Sequence, residues 1–246
     1  MLTTTITLVL TIEVRGDAMA NTHPIALFDL DGTLLDSYQA ILDSMRFATE
    51  QVLGQALPDE VLLERVGQPL VTQMSYFTDD KELQDELLMT YRTHNENNLN
   101  EGIKPFDGII ETIEELQVRG FECGVVTSKR HVIAQGSFEY FNMMDFFGTL
   151  VGFEDSVDHK PDAEPLLVAA KNMDAVVDQC IYIGDSPFDI AAAHAANMKS
   201  VAVTYGKFFD EETLAQQDPT FIVTSPEEIV EACVTLARTM PLDYTE

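Results

Sequence analysis

Short apolar runs alternate with amphipathic helical stretches along most of this chain, and that alternation restricts the fold more than any other feature. The run from Pro24 to Leu30 reads as a buried strand that ends in acids and a turn at Asp31 and Gly32. After Pro105 come a helix over Asp107 to Arg119 stopped by Gly120, a strand over Phe121 to Thr127, and a helix over Val132 to Tyr140. A helix over Asp162 to Asn172, a strand over Cys180 to Gly184 and a helix after Pro187 follow. The chain then shows a strand over Ser200 to Thr204 and a last helix over Pro226 to Arg238. Strands joined through helices make right-handed crossovers, so the expectation is an α/β fold with a doubly wound, mainly parallel, Rossmann-like sheet covered on both faces.

One stretch departs from the alternation. From Ser37 to about Lys104 the apolar positions keep a helical period: Ile41, Leu42, Met45, Val52 and Leu53, then Leu62, Leu63 and Val66 closed by Gly67, then Leu83, Leu87, Leu88 and Tyr91. The expected organisation is therefore a core made of residues 19–36 and 105–246, interrupted by an all-helical insert over residues 37–104. Met19 stands just before the first strand, which makes residues 1–18 an upstream extension or a misplaced start. The apolar stretch Ile6 to Leu10 is too brief for a membrane span and no Lys or Arg precedes it, so neither a signal peptide nor an anchor is expected.

Charge excludes two classes of partner. With 42 acidic against 14 basic residues the net charge is -28, which opposes binding to nucleic acid or to an anionic bilayer. The same charge repels anionic metabolites, so a phosphate site here must assemble its own positive charge from Lys, Arg, backbone N–H groups or a metal. Cys123, Cys180 and Cys233 are far apart and lack metal-type spacing, which reads as buried reduced thiols and suits a reducing cytoplasm.

In a doubly wound sheet, ligands gather at the carboxyl ends of the strands. Those ends carry Asp29 and Asp31 after the first strand, Thr127, Ser128 and Lys129 after the second, and Asp185 and Asp189 after a later one. Acids brought together in this way are most simply balanced by a divalent cation, and an all-oxygen ligand set with water suits Mg²⁺. Lys160 supplies further positive charge.

Each feature alone has a structural explanation. Asp-Leu-Asp-Gly is a good turn, Thr127-Ser128 a good helix N-cap, Lys160 an ordinary surface lysine, and Asp185 and Asp189 acids at a helix N-terminus. Together, and in this order, they carry more. Phe28-Asp29-Leu30-Asp31-Gly32-Thr33-Leu34-Leu35-Asp36-Ser37 resembles the first motif of the haloacid dehalogenase superfamily. Val126-Thr127-Ser128-Lys129 resembles its second motif, His159-Lys160-Pro161-Asp162 its third, and Ile183-Gly184-Asp185-Ser186-Pro187-Phe188-Asp189 its fourth. The insert is similar to the cap of the phosphoglycolate phosphatase-like branch, including the segment Val66-Gly67-Gln68-Pro69-Leu70.

That resemblance implies a Mg²⁺-dependent hydrolase, a phosphatase acting on small phosphorylated metabolites through an aspartyl phosphate. It makes Asp29 the nucleophile and a metal ligand. Asp31 becomes the general acid and base, its backbone carbonyl also on the metal. Thr127, Ser128 and Lys160 contact the phosphoryl group, and Lys160 steadies Asp29. Asp185 completes the protein ligands of the metal, with Asp189 and Thr33 behind them. Phosphoglycolate, a sugar phosphate, a nucleotide and pyrophosphate all fit as substrates. A phosphosugar mutase is the nearest alternative, although such enzymes usually carry an acid where this chain has Gly184. A phosphoacceptor signalling module shares the Asp, Thr and Lys pattern but is about half this length and has no cap. The two-residue spacing of Asp29 and Asp31 puts both side chains on one side if the strand extends that far.

Overall fold

The computed structural model describes residues 23–97 and 102–240. The expected extension, residues 1–18, lies outside them. The chain opens with β1 (Ile25–Phe28) and β2 (Leu35–Asp36), then runs through α1 (Tyr38–Leu53), α2 (Asp59–Leu63), α3 (Leu70–Phe77) and α4 (Lys81–Asn97). It returns through β3 (Lys104–Pro105), α5 (Ile109–Val118), β4 (Glu122–Val126), α6 (His131–Phe141) and β5 (Thr149–Val151). The remainder is α7 (Glu164–Asn172), β6 (Cys180–Gly184), α8 (Pro187–Ala195), β7 (Lys199–Val203), α9 (Glu211–Ala215), β8 (Phe221–Val223) and α10 (Pro226–Ala237).

Six of these strands form one parallel sheet in the order β5-β4-β1-β6-β7-β8. Because side chains alternate across a strand, each strand feeds two cores. Ala26 and Phe28 face a cluster built with Ile109, Ile113 and Leu116 of α5 and Ile229, Cys233 and Leu236 of α10. Ile25 and Leu27 face another, built with Leu166 and Ala169 of α7 and Ala192 and Ala193 of α8. All four side chains of β1 are fully buried, as expected of a central parallel strand covered on both faces.

The strand order reverses beside β1: the chain winds outward through β4 and β5 on one side and through β6, β7 and β8 on the other. A crevice opens at such a switch point, above the carboxyl ends of the central strands. This topology brings Asp29, Thr127 and Asp185 together, the residues that immediately follow β1, β4 and β6.

The helices α1 to α4 hold a separate apolar cluster. Ile41, Leu42, Met45 and Ala48 of α1 lie on one stripe and meet Leu62, Met74, Leu87 and Tyr91. Gly54, at a φ of 68°, ends α1 and donates its N–H to the Glu50 carbonyl. The joint between this layer and the sheet is the antiparallel pair β2 and β3, with Leu35 opposite Pro105 and Asp36 opposite Lys104. The sequence pattern gave no strand at that joint, and it also missed β5, β8 and α9. Each is two to five residues long, too short to set up a period of its own.

Candidate active site

The first strand stops at Phe28, one residue short of Asp29. The chain then turns: Gly32 has a φ of 84°, and the Leu34 and Leu35 N–H groups both bond back to the Leu30 carbonyl. Strand geometry therefore does not reach Asp31, which forms only an isolated bridge to Leu35. The condition on which the spacing argument rested, a strand that extends to Asp31, is therefore not met, although both carboxylates line the same cavity. Asp29 is buried and receives the Lys160 ammonium at 2.9 Å, while Asp31 pairs with Lys129 at 2.8 Å.

Lys160 is fixed by three groups. Its Nζ donates to Asp29 Oδ1, to Asp189 Oδ1 at 2.6 Å and to the Tyr182 hydroxyl at 3.0 Å. The Tyr182 hydroxyl in turn donates to the Val126 carbonyl at 2.9 Å. Asp189 is aimed by a capping box at the start of α8: Ser186 donates its N–H at 3.0 Å and its O–H at 2.5 Å to Asp189 Oδ2, and Ser186 Oγ accepts from the Asp189 N–H. Asp189 was expected behind the metal ligands, and its two oxygens are in fact occupied by Lys160 and Ser186.

Asp185 is the opposite case. It is buried, and its Oδ2 has no hydrogen-bond partner among the described residues. Two glycines press against it: a Cβ on Gly32 would stand 2.1 Å from that oxygen, and one on Gly206 would stand 2.6 Å from it. Carboxylate oxygens of Asp29, Asp185 and Asp189 all come within 4.8 Å of one another. Three carboxylates against one ammonium leave surplus negative charge. The orphaned oxygen of Asp185 and that surplus fit a bound cation, with Asp29 and Asp185 as its protein ligands.

Burial dominates the proton affinities here. It lifts Asp29 to about 7, helped by Asp189 and Asp31 and opposed by Lys160. Burial, then Asp189 and Asp29, raises Asp185 well above the usual carboxylate range. For Lys160 burial acts downward, but Asp189 and Asp29 outweigh it and hold the ammonium well above its ordinary value. A cation beside Asp29 and Asp185 would favour their charged forms.

The remaining expected residues divide by what their polar atoms touch. Thr127 is buried, and its Oγ1 accepts from the Lys129 N–H at 3.2 Å, which leaves its own O–H free to donate. Ser128, expected at the phosphate, donates its hydroxyl to the Gly67 carbonyl at 2.6 Å and so ties the sheet to the helical layer. Thr33 is fully buried, its Oγ1 has no partner among the described residues, and its carbonyl accepts from Tyr205. A cavity of about 110 Å³ lies between the two layers, with Asp29, Asp31, Thr127 and Lys129 on the sheet side and Gln68, Gln73, Tyr91 and Arg92 on the helical side.

A model of haloacid dehalogenase-like hydrolases matches residues 26–203. The chain belongs to that family. As a haloacid dehalogenase-like hydrolase it is an enzyme, and its relatives are of similar length. Pyrophosphatase PpaX of Halalkalibacterium halodurans is 30% identical over 212 residues, covering 86% of this chain and 97% of that one. A protein of Caldanaerobacter subterraneus, assigned provisionally to the same enzyme, is 34% identical over 197 residues, covering 80% and 88%. The solved structure of a predicted phosphoglycolate phosphatase from Haemophilus somnus has the same fold, with a TM-score of 0.77 at 22% identity over 86% of this chain and 98% of that one.

Sequence reasoning missed Tyr182, Gly206 and Arg92. Tyr182 is a hydroxyl inside an otherwise aliphatic, fully buried strand, and that mismatch was a usable signal. Gly206 had none, because its role depends on a close approach between segments remote in sequence.

Proposed function

We propose that this hydrolase is a Mg²⁺-dependent phosphatase of small phosphorylated molecules, working through a phosphorylated Asp29. The observation that carries this reading is the buried Asp29 carboxylate, held by Lys160 at 2.9 Å beside an Asp185 Oδ2 that has no partner among the described residues. Asp29 attacks phosphorus as the bond to the leaving oxygen breaks, and Asp31 gives that oxygen its proton. Asp31 then takes a proton from water, which attacks phosphorus and releases phosphate and the free Asp29 carboxylate. Lys160 orients Asp29 by one oxygen and leaves the other for attack, while the Thr127 hydroxyl donates to the phosphoryl group. Bound at Asp29 and Asp185, Mg²⁺ would neutralise charge on the transferring phosphoryl oxygens.

The helices between β2 and β3 act as a cap that shapes the leaving-group side and excludes water. Gly184 supports hydrolysis over mutase chemistry: a Cβ there would stand 2.5 Å from the Asp189 Cβ, so the position has no room for a second acid. The PpaX relatives make inorganic pyrophosphate the first substrate to assay, with phosphoglycolate second. Three buried free thiols suit a reducing compartment, and we place the enzyme in the cytoplasm. The test is phosphate release from pyrophosphate and a metabolite panel, with Mg²⁺ and with excess chelator. Turnover that needs Mg²⁺ and is lost in Asp29→Asn is expected, and full turnover after confirmed metal removal would overturn the reading.

A further inference from the structure

The cavity between sheet and cap is lined by three carboxylates, and each already has a cation. Asp29 is paired with Lys160, Asp31 with Lys129, and Glu96 with Arg130. The last pair crosses from α4 to the residue preceding α6, so it also fastens the cap to the core. Arg92 lines the same cavity and has no anionic partner among the described residues. Its helix explains the arrangement. Positions 92, 95 and 96 share one face of α4, all three line the cavity, and the acid that Arg92 could reach one turn on, Glu96, is taken by Arg130. A guanidinium with no anionic partner among the described residues, on the wall of a nucleophile site, stands out in a chain of net charge -28.

The helical wall beside it is also polar and incompletely satisfied. Gln73 is only 7% exposed, donates its Nε2 to the Gln68 carbonyl at 2.8 Å, and has an Oε1 without a partner among the described residues. Gln68 Oε1 is likewise buried and has no partner among the described residues. The space is small, about 110 Å³ against the ~300–1,000 Å³ typical of sites for drug-sized ligands. A compact leaving group fits it.

We propose that Arg92 is a specificity-determining residue that binds a second anionic group, a phosphate or a carboxylate, on the leaving-group side of the substrate. The inference rests on the phosphatase reading above and narrows it to compact phosphoric esters or anhydrides whose leaving group carries its own negative charge. Lys160 and Thr127 serve the reacting phosphoryl group, and Arg92 serves the other end, where a planar fork of donors suits a phosphate or carboxylate.

The test compares kcat/KM on inorganic pyrophosphate, phosphoglycolate and phenyl phosphate, whose leaving group has no second anion, for wild type, Arg92→Gln and Arg92→Lys. Loss of a hydrogen-bonded charge pair predicts that Arg92→Gln lowers the ratio of the better of the two substrates with an anionic leaving group to phenyl phosphate by about ten- to a hundredfold, with Arg92→Lys recovering part of it. Preference between pyrophosphate and phosphoglycolate distinguishes phosphate from carboxylate as the group bound. An unchanged ratio in a variant with wild-type circular dichroism overturns the inference. Calorimetric binding of pyrophosphate to Asp29→Asn, with and without Arg92→Gln, separates the two claims. If wild type turns over no phosphate substrate, the phosphatase reading has failed, and binding that weakens on loss of Arg92 still supports the subsite, whereas binding that does not weaken overturns it.

Discussion

Asp189 and Asp185 stand four residues apart, yet exchanging each for asparagine should have opposite consequences. Asp189 accepts from the Lys160 ammonium at 2.6 Å and from two Ser186 donors at 2.5 and 3.0 Å. An asparagine has one acceptor oxygen, so its NH₂ must face either Lys160 or the Ser186 N–H. Relief of repulsion with Asp29 and Asp185 works the other way, but the ammonium is the nearer neighbour and its loss dominates. Breaking a buried pair by removing one partner costs about 3–5 kcal/mol. At roughly 2–4 °C per kcal/mol for a chain of this size, Asp189→Asn should melt about 6–20 °C below wild type in chelator. Asp185→Asn removes a buried carboxyl that burial makes costly to ionise and whose Oδ2 has no partner among the described residues, so its metal-free melting point should equal or exceed that of wild type. Added Mg²⁺ reverses the contrast: Asp189→Asn should keep an upward shift, about 2.7 kcal/mol at a hundredfold excess over Kd, and Asp185→Asn should lose it. Scanning calorimetry with and without Mg²⁺ reads both. An Asp189→Asn melt within about 2 °C of wild type in chelator, or a full Mg²⁺ shift in Asp185→Asn, would refute the reasoning.

Two further outcomes are expected. Burial lifts Asp29 from 3.8 to about 7 without metal, so between those values the folded state holds a proton that the unfolded chain has lost, and its contribution to stability falls as pH rises through that window. Urea melts in chelator should show the stability of wild type minus that of Asp29→Asn declining from about pH 4 to about pH 7, and a flat or rising difference would contradict this. Gly67 has a φ of 100° and a Cβ there would stand 2.6 Å from Ser186 Oγ, whereas Gly54 has a φ of 68° and open space. Both alanine variants should carry backbone strain of about 1–3 kcal/mol, but only Gly67→Ala should lower kcat/KM, because only there does the cap meet the core. Equal kinetic losses in both would remove that contact from the account.

How much of this was legible in the sequence depends on how local each cause is. The central strands were, because Cys180 to Gly184 and the run ending at Phe28 are buried on both faces and read as unbroken apolar segments. The grouping of Asp29, Thr127 and Asp185 followed from the rule for strand ends once a doubly wound sheet was inferred. The pairing of side chains within that group did not follow. Spacing could not show that the chain turns at Gly32 or that Asp31 pairs with Lys129, 98 positions away. The glycines around Asp185 and an Arg92 without an anionic partner among the described residues are products of tertiary contact, and no period or motif encodes them.

The most direct test of the central claim is to trap the phosphorylated enzyme. Asp31→Asn should still allow Asp29 to be phosphorylated by a reagent with a good leaving group, such as acetyl phosphate, while slowing release by the ~10² to 10⁴ expected for losing the general base. Intact-mass and peptide-level mass spectrometry after a rapid acid quench should then find one phosphoryl group, on Asp29, and none in the Asp29→Asn protein. Turnover by wild type with no phosphoryl adduct trapped in Asp31→Asn, or with the adduct on another residue, would contradict the account.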